Sequence, residues 1–194
     1  SVIVSESEFG SKYADNLEET KESLTVIHRQ AKLMKSMTEQ ILEISKTQHL
    51  QWSDLKPVCL STLVSDYCQG QERKWGESPI AFEVSIQPDL WIQGDAVLVT
   101  RMLDNLLSNA VKFTKTKVAI HLVASPAGAV LKVADDGIGI APDHLSKIWD
   151  RFYQVEDSRN KGLNSGIGLG LSFIKDIADL HRAEVKIISE EGKG

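Results

Sequence analysis

The sequence of 194 residues has little cysteine, no excess of positive charge and no long apolar run. Its two cysteines, Cys59 and Cys68, form no CxxC pair and have no histidine cluster beside them, which argues against a disulfide framework or a zinc site and favours a reducing compartment. The formal net charge of −5 argues against a nucleic-acid-binding protein. No apolar run approaches the roughly 18 residues that cross a bilayer, and no signal peptide begins the chain, so we expect this segment to lie outside the membrane.

The composition is that of a protein able to bury a core, with 42% hydrophobic and 25% charged residues. The length fits one large domain, or one domain with a helical extension. Because the chain is acidic, a site for an anion would need positive groups placed locally.

The N-terminal quarter predicts a long helix. Residues 1–11 are polar and rich in Ser and Glu, which is typical of a frayed end. Residues 12–48 contain no Gly or Pro, and apolar residues recur at heptad spacing, as at Leu17 and Leu24 or at Ile27, Met34 and Ile41. A single helix of this length cannot bury its own apolar stripe, so the pattern favours self-association over an ordinary core helix.

Beyond Pro57 the pattern changes to short strands and helices. We predict strands at 58–60, 80–86, 91–92, 118–124, 130–134 and 184–189, and helices at 61–75, 95–113, 144–149 and 171–180. This order predicts an α/β fold, a two-layer sandwich of one mixed sheet with helices on one face, preceded by the long α-helix.

The first segment that suggests chemistry lies on the predicted helix 95–113. Asn105 and Asn109 are four residues apart and therefore project from one face, which Lys112 shares. Amide oxygens suit a hard cation such as Mg²⁺, and an ammonium group suits phosphate. Taken alone, these residues are more typical of a solvated helix face.

The second segment, Asp135-Asp136-Gly137-Ile138-Gly139, follows a predicted strand. Glycines permit close backbone approach, and a carboxylate at the end of a strand can accept a hydrogen bond from an exocyclic amine. A plain Asp-Gly turn is the alternative. Pro142 then begins a helix where a hairpin would return as a strand.

The third segment places Gly166, Gly168 and Gly170 at the start of a predicted helix. Such turns expose backbone N–H groups and the positive end of the helix dipole, which together can bind phosphate. No Gly-Lys-Ser/Thr follows, so the segment is not a P-loop. Its position near the end of the chain argues against a dinucleotide-binding fold.

Together the three segments resemble the Bergerat-type ATPase domain of sensor histidine kinases. The resemblance covers about residues 55–194, where NLLSNAVKFT, DDGIGI, IWDRFYQ and GIGLGL resemble the N, G1, F and G2 boxes of that family. It implies that the domain binds ATP with Mg²⁺.

The resemblance also implies roles for individual residues. Asn109, supported by Asn105, would coordinate Mg²⁺, Lys112 would contact phosphate, Phe113 would pack against the base, and Asp135 would accept a hydrogen bond from the adenine amine. The catalytic residues implied are Asn105, Asn109, Lys112 and Arg151. The further nucleotide-binding residues implied are Gly137, Ile138, Gly139, Phe152, Gly166, Ile167, Gly168, Leu169, Gly170 and Leu171, with Arg151 and Phe152 at the hinge of an ATP lid at 153–165.

The sequence departs from the family pattern in its histidines. His28 and His49 lack the residues that follow an acceptor histidine in the family, so we expect the acceptor to lie upstream of Ser1. Residues 1–52 are therefore predicted as the second helix of the dimerisation hairpin, and 53–194 as the ATP-binding catalytic domain without its final strand. His181-Arg182-Ala183 stands where the family has His-Gly-Gly, which predicts a different turn.

The function implied is that of an ATP-dependent protein-histidine kinase of a two-component system. It would donate the γ-phosphoryl group to a histidine for onward transfer to the receiver domain of a response regulator, as a homodimer formed through the N-terminal helix. The segment would be a cytoplasmic domain of a bacterial inner-membrane sensor kinase, without nucleic-acid partners. Two alternatives remain: a non-catalytic nucleotide-binding dimerisation or sensing module, and an ATP-hydrolysing member of the same fold, against which Asn105 stands in place of a glutamate.

Overall fold

The computed structural model describes residues 2–12, 16–47, 50–155 and 168–194, and it divides into two compact units, 1–48 and 49–194. The first unit is a helical hairpin of α1 (Val2–Lys12) and α2 (Leu17–Thr47). The prediction of a frayed end at 1–11 is therefore wrong. Polar composition concealed a helix that packs on α2, where a Cβ added at Gly10 would lie 3.2 Å from Cβ of Ser23.

Several of the large apolar side chains described on the hairpin are exposed to solvent. Among the side chains described on α1 and α2, Ser23 is the one that is buried. Leu17, Leu24 and Met34, which belong to the predicted heptad positions, are each more than half exposed. A stripe of this kind is typical of a helix pair that packs against a further element.

The second unit begins with a short 3₁₀ turn and continues as alternating strands and helices. The elements are the turn at Trp52–Asp54, β1 (Lys56–Cys59), α3 (Leu60–Gly76), β2 (Ala81–Ile86), β3 (Trp91–Gly94), α4 (Ala96–Phe113), β4 (Lys117–Ser125), β5 (Gly128–Asp135), α5 (Pro142–Leu145) and α6 (Gly170–Leu180). Each predicted element between 58 and 134 is present within a few residues. The helix predicted at 144–149 instead begins at Pro142, and turns follow it to residue 152.

The strands form two small sheets rather than the single sheet expected. In one, β2 pairs parallel with β4, and β4 pairs antiparallel with β5; in the other, β1 and β3 pair antiparallel. Alternate residues of β4, namely Val118, Ile120 and Leu122, are fully buried beneath the helices. The predicted mixed α/β sandwich is thereby confirmed, and α4 lies across β5 and beside α6.

The core of this unit is continuous across the sheet and the helices. Trp75 stacks on Phe82 with ring centroids 4.4 Å apart, which closes the core at the end of α3. The buried residues of this core are Leu60, Val64, Cys68, Val99, Leu103, Leu107, Ala110, Val118, Ile120 and Leu122. Within the described residues, no helix combines the length and apolar character needed to cross a bilayer.

The strand predicted at 184–189 is wrong. In the described chain the burial of this segment alternates, with Val185 and Ile187 partly buried and Ile188 95% exposed, but it pairs with no strand. Alternation of apolar and polar residues in a sequence predicts an extended segment with one buried side. A strand also needs a neighbour that supplies ladder hydrogen bonds, and one sequence does not specify that neighbour.

The turn after α6 is formed by His181 and Arg182, whose side chains contact other elements. Arg182 adopts a φ of +53°, which glycine adopts more easily, and its guanidinium lies 4.7 Å from the ring centroid of Trp52. Beside it, His181 Nδ1 donates to the carbonyl of Ile177 at 2.7 Å, and its Nε2 accepts from the amide of Asp95 at 3.1 Å. This histidine therefore joins the end of α6 to the start of α4.

Candidate functional site

Helix α4 holds the two predicted site amides in a fixed position. The helix begins at Asp95, whose carboxylate accepts from the amides of Val97 and Leu98. Its apolar face is buried, and Tyr67 of α3 donates a 2.6 Å hydrogen bond to Asp104. Burial and that carboxylate raise the pKa of the tyrosine hydroxyl, which stays protonated and keeps the link to α4.

Asn105 and Asn109 lie partly buried on one side of this helix, facing the start of α6. The side-chain nitrogen of Asn105 donates to the carbonyl of Arg101 at 3.0 Å, so its oxygen is turned away from that helix turn. A Cβ added at Gly170 would lie 2.9 Å from Oδ1 of Asn105 and 3.9 Å from Nδ2 of Asn109. The structure therefore brings the first and third predicted segments together, and a side chain at position 170 would displace the amide of Asn105.

The start of α6 presents backbone donors next to these amides. No side chain of the residue before the helix caps it, and Leu169 and Leu171 provide no polar atoms of their own. The side chain of Leu169 is buried in the core, so its contribution to a ligand would come from its backbone. Gly166 and Ile167 lie outside the described residues.

The second segment approaches α4 from the end of β5. Asp135 pairs in register with buried Val118 and so lies on the face of the sheet that carries the helices. Its Oδ1 accepts from the amide of Gly137 at 2.9 Å. A Cβ added at Gly137 would overlap the carbonyl oxygen of Phe113, the last residue of α4. Glycine at this position thus allows the loop to lie directly on the end of the helix.

The carboxylate of Asp135 is partly buried and poorly supplied with donors. Desolvation raises its pKa above the ordinary value, and the neighbouring charge of Asp136 adds to the rise, while the amide of Gly137 opposes both. Such a group gains from a ligand that brings a hydrogen-bond donor, as an exocyclic amine does.

Asp136 has the opposite environment and a role that the sequence analysis missed. Its carboxylate accepts from the hydroxyls of Thr114 and Thr116 and from three backbone amides, those of residues 115, 116 and 117. These bonds hold its pKa far below the usual range. Asp136 therefore anchors the turn between α4 and β4. The available signal was the Thr-x-Thr sequence directly after the helix, which supplies hydroxyl donors.

Lys112 and Phe113 lie together in the last turn of α4. The ammonium nitrogen of Lys112 is 4.7 Å from the ring centroid of Phe113. Burial lowers the pKa of this lysine, because the charged form loses hydration there. An anion near the ammonium group would offset that loss, so the position suits phosphate.

The residues before the lid segment connect to α5 and α6. Arg151 pairs with Asp176 of α6 at 3.0 Å. Phe152 has a φ of +67°, which is rare for an aromatic residue, and its amide donates to the carbonyl of Gly168 at 2.8 Å. Tyr153 and His144 Nδ1 are hydrogen-bonded at 2.6 Å. Phe152 and Gly168, which flank the predicted lid in the sequence, are thus in contact, while residues 156–165 of that lid lie outside the described chain.

The donor set fits a nucleotide-bound magnesium ion. In the part of the chain that the structure describes, no group of three or more His, Cys, Asp or Glu side chains is placed to hold a metal. Among the described residues beside the start of α6, Asn105 and Asn109 have amide oxygens that could ligate a cation. Mg²⁺ takes few protein ligands and depends on substrate phosphates and water for the rest.

Comparison with known proteins gives matches over the same region and over the whole chain. The family model described as histidine kinase-, DNA gyrase B- and HSP90-like ATPase matches residues 94–194. Sensor histidine kinase YkoH of Bacillus subtilis is 31% identical over 186 residues, which make up 96% of this chain and 40% of that protein. The chain spans about two fifths of the length of the curated relatives it matches.

Two solved structures show the same fold. The mycobacterial sensor histidine kinase MprB aligns with a TM-score of 0.55 and 27% identity, over 66% of this chain and 80% of that one. Full-length ShkA in complex with AMPPNP aligns with a TM-score of 0.71 and 22% identity, over 99% of this chain and 40% of that one. The resemblance seen in the sequence motifs is thus confirmed by independent comparison.

Proposed function

Because the chain belongs to the family of histidine kinase-, DNA gyrase B- and HSP90-like ATPases, we propose that it binds Mg-ATP as the catalytic part of a sensor histidine kinase. One observation carries the proposal: α4 touches Gly137 at its end and Gly170 beside Asn105, so the three sequence segments converge on a single helix. A nucleotide spans the same parts, with its base at Asp135 and its phosphates at the start of α6.

Each site residue then has a defined task. Asp135 accepts a hydrogen bond from the adenine amine, and Phe113 packs against the base. The amide oxygens of Asn109 and Asn105 hold Mg²⁺, which supplies charge neutralisation at the phosphates. Lys112 and the backbone amides at Gly168–Leu171 complete the phosphate seat, so an acidic chain neutralises the anion locally.

Transfer to a protein side chain is favoured over hydrolysis. Asn105 has no group that can accept a proton from water, and its nitrogen is already bonded to the carbonyl of Arg101. Curated relatives that span the hairpin as well as the catalytic unit carry the name sensor histidine kinase. We therefore assign phosphoryl transfer to histidine, and from there to the receiver domain of a response regulator.

The N-terminal hairpin supplies the dimer contact in this proposal. The exposed apolar side chains Leu17, Leu24 and Met34 give a second copy a surface to cover. Neither His28 nor His49 has the sequence context of a phosphoacceptor, so we expect this chain alone not to label itself with ATP. The parent protein would be a bacterial sensor kinase whose catalytic part faces the cytoplasm.

Calorimetric titration tests the proposal. Mg-ADP and Mg-AMPPNP should bind one per chain, Mg-GDP should bind much more weakly because its base presents a carbonyl to Asp135, and removal of Mg²⁺ should weaken AMPPNP more than ADP. Addition of ATP should release phosphate at no more than the uncatalysed background. Equal binding of guanine and adenine nucleotides would contradict the base assignment, and steady phosphate release would favour an ATP-hydrolysing member of the family.

A further inference from the structure

A turn near the end of the chain contacts the glycine loop of the proposed site. We call residues 137–140 the G1 loop and residues 189–193 the C-terminal turn. Ile140 donates its amide to Oγ of Ser189 at 2.8 Å, and the amide of Gly192 donates to the carbonyl of Ile138 at 2.7 Å. The two segments are therefore joined on both the donor and the acceptor side of the G1 loop.

The contact is close enough to define the loop conformation. Gly139 has a φ of +67°, and a Cβ added there would overlap the carbonyl oxygen of Glu190. On its other side the G1 loop lies against the end of α4, through Gly137 and the carbonyl of Phe113. The loop is thus held between α4 and the C-terminal turn.

The C-terminal turn is itself anchored to the α4–β4 connection. The ammonium group of Lys115 donates to the carbonyl of Gly192 at 2.6 Å. Lys115 lies in the turn that Asp136 fixes through its carboxylate. The amide of Lys193 donates to the carbonyl of Glu190 at 3.0 Å, which closes the C-terminal turn on itself.

A glycine loop needs such support to bind tightly. Glycines allow many backbone conformations, so an unsupported loop would lose that freedom when a ligand binds, and affinity would fall. Ser189 removes part of this cost in advance, because its hydroxyl gives the Ile140 amide an acceptor in the required loop conformation.

We propose that Ser189 is a positioning residue for nucleotide binding, which holds the G1 loop through the amide of Ile140 and thereby orders it for the nucleotide that Asp135 recognises. The inference rests on the proposed function, since it assigns Ser189 to the same site. Ser189 itself touches neither the base nor the phosphates in this assignment.

The chain offers a matched control at Ser61. That hydroxyl also accepts one long-range backbone amide, from Leu90 at 3.0 Å, and donates to one backbone carbonyl, of Gln87 at 2.7 Å. It lies at the start of α3 and is buried. Loss of either hydroxyl leaves a backbone amide without its acceptor, but of the two hydroxyls it is that of Ser189 that contacts the G1 loop.

The experiment compares Ser189→Ala, Ser189→Thr, Ser61→Ala and Asp135→Asn by Mg-ADP calorimetry, thermal melting and amide exchange. We expect Ser189→Ala to weaken Mg-ADP binding roughly fivefold to tenfold and to speed exchange of the Ile140 amide, from the usual cost of an unmade hydrogen bond. Ser189→Thr should restore most of the affinity. Ser61→Ala should lower the melting temperature and leave the dissociation constant within about twofold.

The outcomes separate this inference from the proposed function. Unchanged affinity in Ser189→Ala, with Asp135→Asn strongly impaired, would overturn the positioning role and keep the site. Unchanged affinity in both variants would remove the site and the positioning role together. If Ser189→Ala and Ser61→Ala lose affinity in proportion to their loss of melting temperature, general destabilisation accounts for the effect and the inference is wrong.

Should Ser189→Ala fold poorly, Lys115→Met tests the same C-terminal turn, and it should weaken Mg-ADP binding by about twofold to threefold.

Discussion

Asp135 and Asp136 are adjacent in the chain, yet their surroundings supply very different numbers of hydrogen-bond donors to the carboxylate. In the described chain, Asp136 accepts five hydrogen bonds from the turn between α4 and β4, whereas one protein donor, the amide of Gly137, reaches Asp135. The first arrangement holds the pKa low and the second leaves it raised. A carboxylate that the protein satisfies is structural, and one that it leaves short of donors has capacity for a ligand.

The largest expected effect is on ligand affinity at Asp135. Asp135→Asn places an amide nitrogen where the adenine amine needs an acceptor, so Mg-ADP should bind about 100-fold more weakly or worse. Calorimetric titration measures this directly. The melting temperature without nucleotide should stay the same or rise, because the variant removes a partly desolvated charge. An unimpaired dissociation constant would show that Asp135 does not contact the base.

Asp136→Asn should have the opposite result, with a loss of stability that exceeds its effect on nucleotide affinity. Oδ1 accepts four of the five hydrogen bonds and Oδ2 accepts the fifth, from the hydroxyl of Thr116. The variant removes the negative charge that strengthens all five and replaces one acceptor oxygen by an NH₂ group. We expect the melting temperature to fall by roughly 5 °C or more, by analogy with loss of a capping carboxylate in a domain of this size. Scanning calorimetry without nucleotide gives the measurement. A variant that melts like the unmodified chain but no longer binds nucleotide would contradict the comparison.

The pH dependence of stability should separate the two carboxylates further. The folded pKa of Asp136 lies below its unfolded value of about 3.9, so its contribution is present above pH ~4 and is lost as pH falls below that. The folded pKa of Asp135 is raised, so its contribution is present at low pH and is lost as pH rises through that raised value.

Melting temperatures measured from pH 3 to pH 7 check these opposite signs. The unmodified chain should lose stability towards acid, and Asp136→Asn should flatten that loss. Asp135→Asn should instead gain stability relative to the unmodified chain as pH rises towards neutrality. If the melting temperatures of the two variants changed with pH in the same way, the pKa values of Asp135 and Asp136 would not be shifted in opposite directions.

Sequence reasoning reached the helices and strands whose signals are local. The apolar face of α4 and the alternating burial of β4 can each be predicted from one segment. The motifs also named Asn105, Asp135 and Gly170, whose three segments the structure brings together around α4. Residues 1–11 and 184–189 were misread for the same reason. Helix α1 depends on α2 for its packing, and ladder pairing depends on a neighbouring strand, so neither outcome is encoded in the segment alone.

The residues that support the site were missed because their partners lie far away in sequence. The bond from Ile140 to Ser189 spans 49 residues, and those from the 114–117 turn to Asp136 span about 20. Motif patterns name residues that contact a ligand. The residues that hold those in place emerge when the fold is known, because a serine hydroxyl or an aspartate is common in loops for many local reasons.

A smaller effect than at Asp135 is expected at Gly170, where the variant should lose affinity for nucleotide without losing stability. Gly170→Ala places a Cβ 2.9 Å from Oδ1 of Asn105, and the amide can turn aside only by giving up its bond to the carbonyl of Arg101. Alanine favours helix by up to ~1 kcal/mol over glycine, so the variant should fold normally. Mg-AMPPNP binding should weaken roughly threefold to tenfold, because the side-chain amide of Asn105 is displaced from the position in which it would hold the ligand. Gly70→Ala on α3 is the matched control, since a Cβ there meets nothing within 4 Å. That control lies inside α3, so it should gain helix stability and leave binding unchanged. Equal affinities in the two variants would show that Asn105 and the start of α6 do not act on the same ligand.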